Sequence, residues 1–161
     1  MEISITGVLA TEGMLRRMSL LNTIVREWFE SGEHDAIMRE SFTKNFESGG
    51  RPAWEPLSQE TVDSREKMGF SGSEPILVRT GNFMDEITSM NSEKSYRPGE
   101  SIASWGIDQL RESEKGKFVA HMTGKTEGPT TIPMRPMIGF QDEDKEALTN
   151  SLSSFIERNF V

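Results

Sequence analysis

Apolar positions recur at helical spacing in three parts of this chain. Met14, Met18, Leu21, Val25 and Trp28 lie three and four apart, which predicts an amphipathic helix from Thr11 to Ser31-Gly32. Ile37, Phe42 and Phe46 form a second, weaker stripe over residues 33–46, closed by Ser48-Gly49-Gly50. Leu148, Leu152, Phe155 and Ile156 form the third. Asp142 stands where it would cap that last helix, with Glu143, Asp144 and Glu146 in the first turn, where the helix dipole favours acid.

Strand patterns are shorter. Ile3 and Ile5 alternate with polar residues ahead of Gly7, so residues 1–9 read as a strand with one buried face. Residues 95–97 and 101–107 read as a hairpin about Pro98-Gly99, although Ile102, Trp105 and Ile107 do not alternate cleanly. Residues 131–139 read as an edge strand, because Pro133 and Pro136 lack the N–H groups that a central ladder needs.

Between Gly49 and Gly81 the chain changes character, with Pro52, Pro56 and Pro75 and one helical stretch, Gln59 to Met68, that Ser58 is suited to cap. Trp54 and Phe70 predict that residues 49–80 form an ordered arm packed by its own aromatics. Thr80 is placed to cap a helix from Gly81 to Met90 with Phe83 and Ile87 on one face. Residues 108–117 are almost wholly charged or polar and fit either an exposed helix or a mobile insertion. The expected architecture is a single α+β domain over residues 1–161. It has four or five helices flanking a small, mostly antiparallel sheet, a long ordered arm in the middle, and a C-terminal helix.

Composition narrows the chemistry. The 161 residues contain no cysteine, which excludes disulfides, thiol catalysis and Cys-based metal sites. The only histidines are His34 and His121, too few for a multi-histidine metal centre, so no metal or cofactor is expected. The net charge is −8, spread as −3, −3 and −2 over residues 1–48, 49–100 and 101–161. With no basic stripe, binding of nucleic acid through its phosphates is not expected. No apolar run approaches the ~18 residues of a membrane span, and the N-terminus lacks the basic and apolar regions of a signal peptide. The apolar fraction is 34%, or about 43% with the 14 glycines, slightly thin against the usual ~45–50%.

No serine lies in a Gly-x-Ser-x-Gly elbow, and no phosphate loop or dinucleotide fingerprint is present. His121 reads first as a hydrogen-bonded structural residue; the enzymatic alternative is a hydrolase pairing it with a nearby carboxylate. The carboxylate pairs Glu112/Glu114 and Asp142/Asp144 read as a solvated face and a helix N-terminus. Arg135, between two prolines, suits either an ion pair within its own chain or a subunit contact. Met134 and Met137 beside it suit core filling or protein contacts.

Four landmarks resemble the phage virion morphogenesis family of tailed bacteriophages. Gly50-Arg51-Pro52-Ala53-Trp54-Glu55-Pro56-Leu57-Ser58, followed by Thr61, is similar to its G-x-P-x-W-x-P-L-s-x-x-T segment. Ile76-Leu77-Val78-Arg79-Thr80-Gly81-Asn82-Phe83 is similar to I-L-x-x-T-G-x-L. His121-x-x-Gly124 and then Ile132-Pro133-Met134-Arg135-Pro136-Met137-Ile138-Gly139 resemble H-x-x-G and I-P-x-R-P-F-L-G, ahead of an acidic-capped helix. Phe83 and Met137 depart from the pattern apolar for apolar. The charged stretch 108–117 departs where the family has a tighter strand.

The resemblance implies a tail completion or tail terminator protein of the virion neck, assembled in the bacterial host cytoplasm, with no enzymatic activity. Its partners would be further copies in a six-fold ring, the tail tube protein, the head–tail connector and a tail sheath where one exists. A head-closure or transient assembly factor is the alternative in the same setting. A cyclic ring needs two different patches on each subunit. Trp54, Leu57 and Phe70 are candidates for one, and Met134, Arg135 and Met137 for the other. Trp54 is equally suited to be a lid over its own core. Pro52, Thr80, Gly81, His121, Gly124, Pro133 and Pro136 are the structural motif residues. An acidic ring would let DNA pass its channel without specific binding.

Overall fold

The computed structural model describes residues 6–72, 75–97, 100–125 and 131–160, with the side chains of 6–15, 17, 18 and 160 outside that description. The elements run α1 (Thr6–Ser31), α2 (Glu33–Glu47), α3 (Gln59–Lys67), α4 (Asn82–Thr88), β1 (Glu93–Arg97), β2 (Glu100–Ser104), a 3-10 turn (Ile107–Gln109), α5 (Glu112–Thr123) and α6 (Asp142–Phe160). This is an α+β chain with a C-terminal helix and one two-stranded antiparallel sheet.

α2 is the axis of the core. Its Met38, Phe42 and Phe46 are each 1% exposed and meet Phe83 and Ile87 from α4, Phe118 from α5, and Trp54. Gly32, at φ +75, breaks α1 from α2 in a conformation that L side chains rarely adopt. α6 runs antiparallel to α2: the Ser41 hydroxyl donates to Asp144 at one end, while Ser151 and Arg158 both reach Glu33 at the other.

Several expectations are corrected. The strand over 1–9 falls partly outside the described residues, and from Thr6 onward the chain is already α1. An alternation of three or four residues does not distinguish a strand from the entry to an amphipathic helix. The stretch 108–117 contributes a 3-10 turn and the first half of α5, with Glu112 and Glu114 in the turn where the helix dipole favours them. Thr80 is not a cap: Gly81, at φ +82, holds that position with no side-chain bond. Asp142 is the fully exposed first residue of α6; the Asp144 carboxylate instead accepts the Gln141 N–H at 2.9 Å.

The hairpin pairs Glu93 with Ser104 and Arg97 with Glu100, and the Pro98-Gly99 turn lies outside the described residues. Trp105 and Ile107 lie past the end of β2, which explains their failure to alternate. Residues 131–139 are not an edge strand; their one ladder contact is an isolated bridge between Lys125 and Ile132. The segment instead runs as an extended strap across the core. With two of its N–H groups removed by proline, its remaining polar backbone is satisfied from afar. Arg135 N–H donates to the His121 carbonyl at 2.6 Å, the Met137 carbonyl accepts from Asn45 at 2.9 Å, and the Pro136 carbonyl accepts from the Trp54 indole at 3.0 Å.

This packing predicts a contrast measurable by urea unfolding. Phe46→Ala should cost about 3–5 kcal/mol, because it empties a site closed on every side. Ile102→Ser, at a position 42% exposed on the outer face of the hairpin, should stay within about 0.5 kcal/mol.

Candidate interface groove

The arm begins at a polar junction. Gly50, at φ +103, lies so close to the Trp54 ring that a Cβ there would overlap the indole. The next peptide, Arg51–Pro52, is cis, and Pro52 itself is exposed. The Arg51 guanidinium donates to Asn45 Oδ1 at 2.9 Å and to the Ser41 carbonyl and hydroxyl at 2.8 Å, and it pairs with Glu143. Gln141 returns a bond to the Arg51 carbonyl at 2.9 Å. Ser41, Asn45, Arg51, Gln141 and Asp144 thus join α2, the arm and α6 in one network that sequence reasoning missed. Its trace in the sequence is the pair Ser41 and Asn45, polar residues four apart on the otherwise apolar face of α2.

Trp54 then turns inward. It is 6% exposed and packs edge-to-face on Phe46 at 5.5 Å, so its geometry is that of a lid over its own core. Beside it Arg135, 3% exposed, donates from Nε and Nη2 to the Glu55 carbonyl at 3.0 and 2.8 Å and from Nη2 to the Pro56 carbonyl at 3.1 Å. Among the described residues no carboxylate is hydrogen-bonded to it. Three bonds to carbonyl dipoles hold the buried charge; burial lowers its pKa, and the nearby Glu55 charge opposes that shift. Met137 is 0% exposed, with its N–H on the Met122 sulfur at 3.3 Å. Trp54, Arg135 and Met137 are therefore internal groups of the subunit, and the free-surface role considered for Arg135 and Met137 is corrected to an internal one. The strap is held against the core by its Arg135 N–H on the His121 carbonyl and its Met137 carbonyl on Asn45, with Arg135 and Met137 turned inward.

Of the remaining candidates, Leu57, Thr80, His121, Gly124, Pro133 and Met134 line a groove of about 1340 Å³, whereas Pro52, Phe70, Gly81 and Pro136 lie outside its lining. Leu57, Thr61 and Met68 line one side, Leu77 and Phe83 the floor, and His121, Gly124 and the strap residues Ile132 to Arg135 the other. Leu77 holds a left-handed φ of +64, rare for a non-glycine residue. Thr80 and Pro133 also face this space. Gly124, at φ +72, lets the strap pass: a Cβ there would stand 3.3 Å from the Met134 nitrogen. Met134 is 61% exposed on the lip. Phe70 lies on the arm at 38% exposure, under the Arg79 guanidinium at 5.6 Å. Landmarks far apart in the chain, at Leu57, Thr80, His121 and Pro133, thus converge on one concavity.

Neither histidine is set up for catalysis. His121 Nδ1 is buried without a partner, and burial together with the Arg135 charge pushes its pKa down to about 4. The ion acting on it is a cation rather than the carboxylate a hydrolase would need. His34 contacts Ser92 Oγ at 2.7 Å, but Asp35 lies 3.5 Å from that same Nε2 and leaves Nδ1 unpartnered, the reverse of a Ser-His-Asp relay. Among the described residues no group of three His, Asp or Glu could hold a metal ion, and no helix is long and apolar enough to cross a membrane.

A model of the phage virion morphogenesis family matches residues 33–157, from the start of α2 to the last turns of α6. The chain belongs to that family. A role in the structure or assembly of a phage virion follows. No curated protein and no solved structure matches it. In this virion morphogenesis protein the matched span contains the whole groove, whereas α1 lies outside it.

Two outcomes are expected. Arg135→Met leaves the Glu55 and Pro56 carbonyls unsatisfied, so it should cost about 1–3 kcal/mol and open the arm to limited proteolysis between residues 49 and 80. His121 ordinarily titrates at 6.5, and the fold lowers this to about 4, so the unfolded chain binds more protons between those values. Stability present above pH 6.5 is therefore lost as the pH falls toward 4, and His121→Gln should flatten this part of the urea-midpoint curve.

Proposed function

We propose that this protein is a structural subunit of the tail end and neck of a tailed phage, forming a ring that terminates the tail tube and joins it to the head connector. The observation that carries this reading is the groove. A family member whose separated landmarks converge on a wide, partly apolar concavity, with no catalytic arrangement beside it, is built to receive another protein chain. Met68 and Met134, 51% and 61% exposed beside it, supply adaptable apolar contact. The slightly thin apolar fraction fits a subunit that finishes burying itself against neighbours.

The charge of −8 per subunit supports the same reading. A ring of such subunits around a channel repels DNA phosphates, so a genome passes without being held. The partners in this reading are further copies of the chain, the tail tube protein and the connector.

Light scattering of the purified protein, alone and with tail tubes, should give a closed oligomer of about six subunits, and mass spectrometry should find the chain in mature particles. Absence from the particles would instead identify a transient assembly factor. A chain that stays monomeric with tubes and is missing from virions would contradict the proposal.

A further inference from the structure

The net charge of −8 is spread evenly along the sequence, but the fold does not leave it even in space. The groove lining gathers four cations, Arg65, Arg79, Lys117 and Arg135, against two carboxylates, Glu55 and Glu60. An acidic protein thus carries a concave face of the opposite sign.

The cations stand at two depths, with Arg65 and Arg135 buried and Arg79 and Lys117 exposed. Arg135 gives Nε and Nη2 to the Glu55 and Pro56 carbonyls, and among the described residues its Nη1 has no hydrogen bond. Carbonyl dipoles satisfy N–H donors without cancelling a charge, and a buried charge is ordinarily met by an opposite one. The Glu55 charge acts on Arg135 from a distance only. Arg79 lies against the Phe70 ring at 5.6 Å, and among the described residues no carboxylate is bonded to it either. Lys117 pairs with Glu114 from outside the lining and keeps a side chain 57% exposed.

Between these charges the walls are apolar, with Leu57, Leu77 and Phe83 and the exposed Met68 and Met134. A basic segment laid here would meet like charge. A purely apolar one would cover Arg79 and Lys117 without compensating them, at the cost of their hydration. A segment that alternates carboxylates with apolar side chains meets both features of the lining.

We infer that the groove takes an acidic, apolar segment of a partner protein chain. Its carboxylates face Arg79, Lys117 and Nη1 of Arg135, and its apolar side chains lie against Leu57, Met68 and Met134. Arginine suits this role because its planar fork can bond both oxygens of one carboxylate. The inference rests on the reading that another protein chain fills the groove and states the chemistry of that chain.

The test uses three fluorescein-labelled peptides of about twelve residues, which share the same leucines and carry glutamate, serine or lysine between them. Each is titrated with the full chain, at a dilution where light scattering finds monomer, and followed by fluorescence anisotropy. The glutamate peptide should bind about tenfold more tightly than the serine peptide and the lysine peptide most weakly, with the preference shrinking as salt rises. Arg79→Glu and Lys117→Glu, both at exposed positions, should each weaken the glutamate peptide about tenfold. Lys145→Glu, the same charge change at an exposed position outside the lining, should leave it within about twofold. No preference for the glutamate peptide, or a preference that survives Arg79→Glu and Lys117→Glu together, overturns the inference. Duplex DNA bound more tightly through the same two residues would identify a phosphate site and overturn it as well. A chain that forms the ring at higher concentration but shows no preference for the glutamate peptide overturns the acidic occupant and leaves the ring standing. A chain that stays monomeric with tail tubes yet prefers the glutamate peptide overturns the ring and leaves the occupant standing.

Discussion

The buried guanidinium of Arg135 holds together two segments that no secondary structure joins. Neither the arm nor the strap belongs to a sheet, and the single hairpin lies to one side, against α1. Arm and strap are therefore joined to each other through side chains. Arg135 supplies three bonds to the arm, Trp54 returns one to the strap, and Asn45 anchors the strap to α2. Charge-assisted bonds of this kind are roughly twice as strong as neutral ones, which makes an arginine with no paired carboxylate tolerable at 3% exposure. Both of the segments that this clamp fixes contribute to the groove's lining.

That clamp also explains which parts of the sequence were easy to read. α2, α3 and α6 are legible from their stripes and caps, since Phe42, Phe46, Ser58 and Leu148 do in the structure what their spacing suggests. The arm is legible as ordered because a stretch carrying Trp54 has little other use for it. The strap was misread because prolines among apolar residues look like an edge strand, and nothing local reveals that its polar groups are satisfied by residues about 80 positions away. The network of Ser41, Arg51 and Asp144 was missed for the same reason: long-range hydrogen bonds leave no periodicity. Residues 112–117 were undecided because a solvated helix and a mobile insertion share one composition. α5 is settled by the burial of Phe118 and Glu114.

The functional residues were legible to a different degree. Family membership rests on residues 33–157, and the landmarks within that span mark a structure more than an interface. Trp54 and Met137 are buried behind the groove and Arg135 is buried in its wall, whereas Leu57 and Met134 line it and Phe70 is exposed elsewhere on the arm.

The central claim is that this protein forms a ring at the end of the tail and that a neighbouring protein chain fills its groove. A cryo-electron reconstruction of the virion neck tests it most directly. The account predicts a ring of this chain between tail tube and connector, with density from a neighbouring protein chain in the groove. A neck in which the chain is absent, or a ring in which that groove is empty and open to solvent, would contradict it.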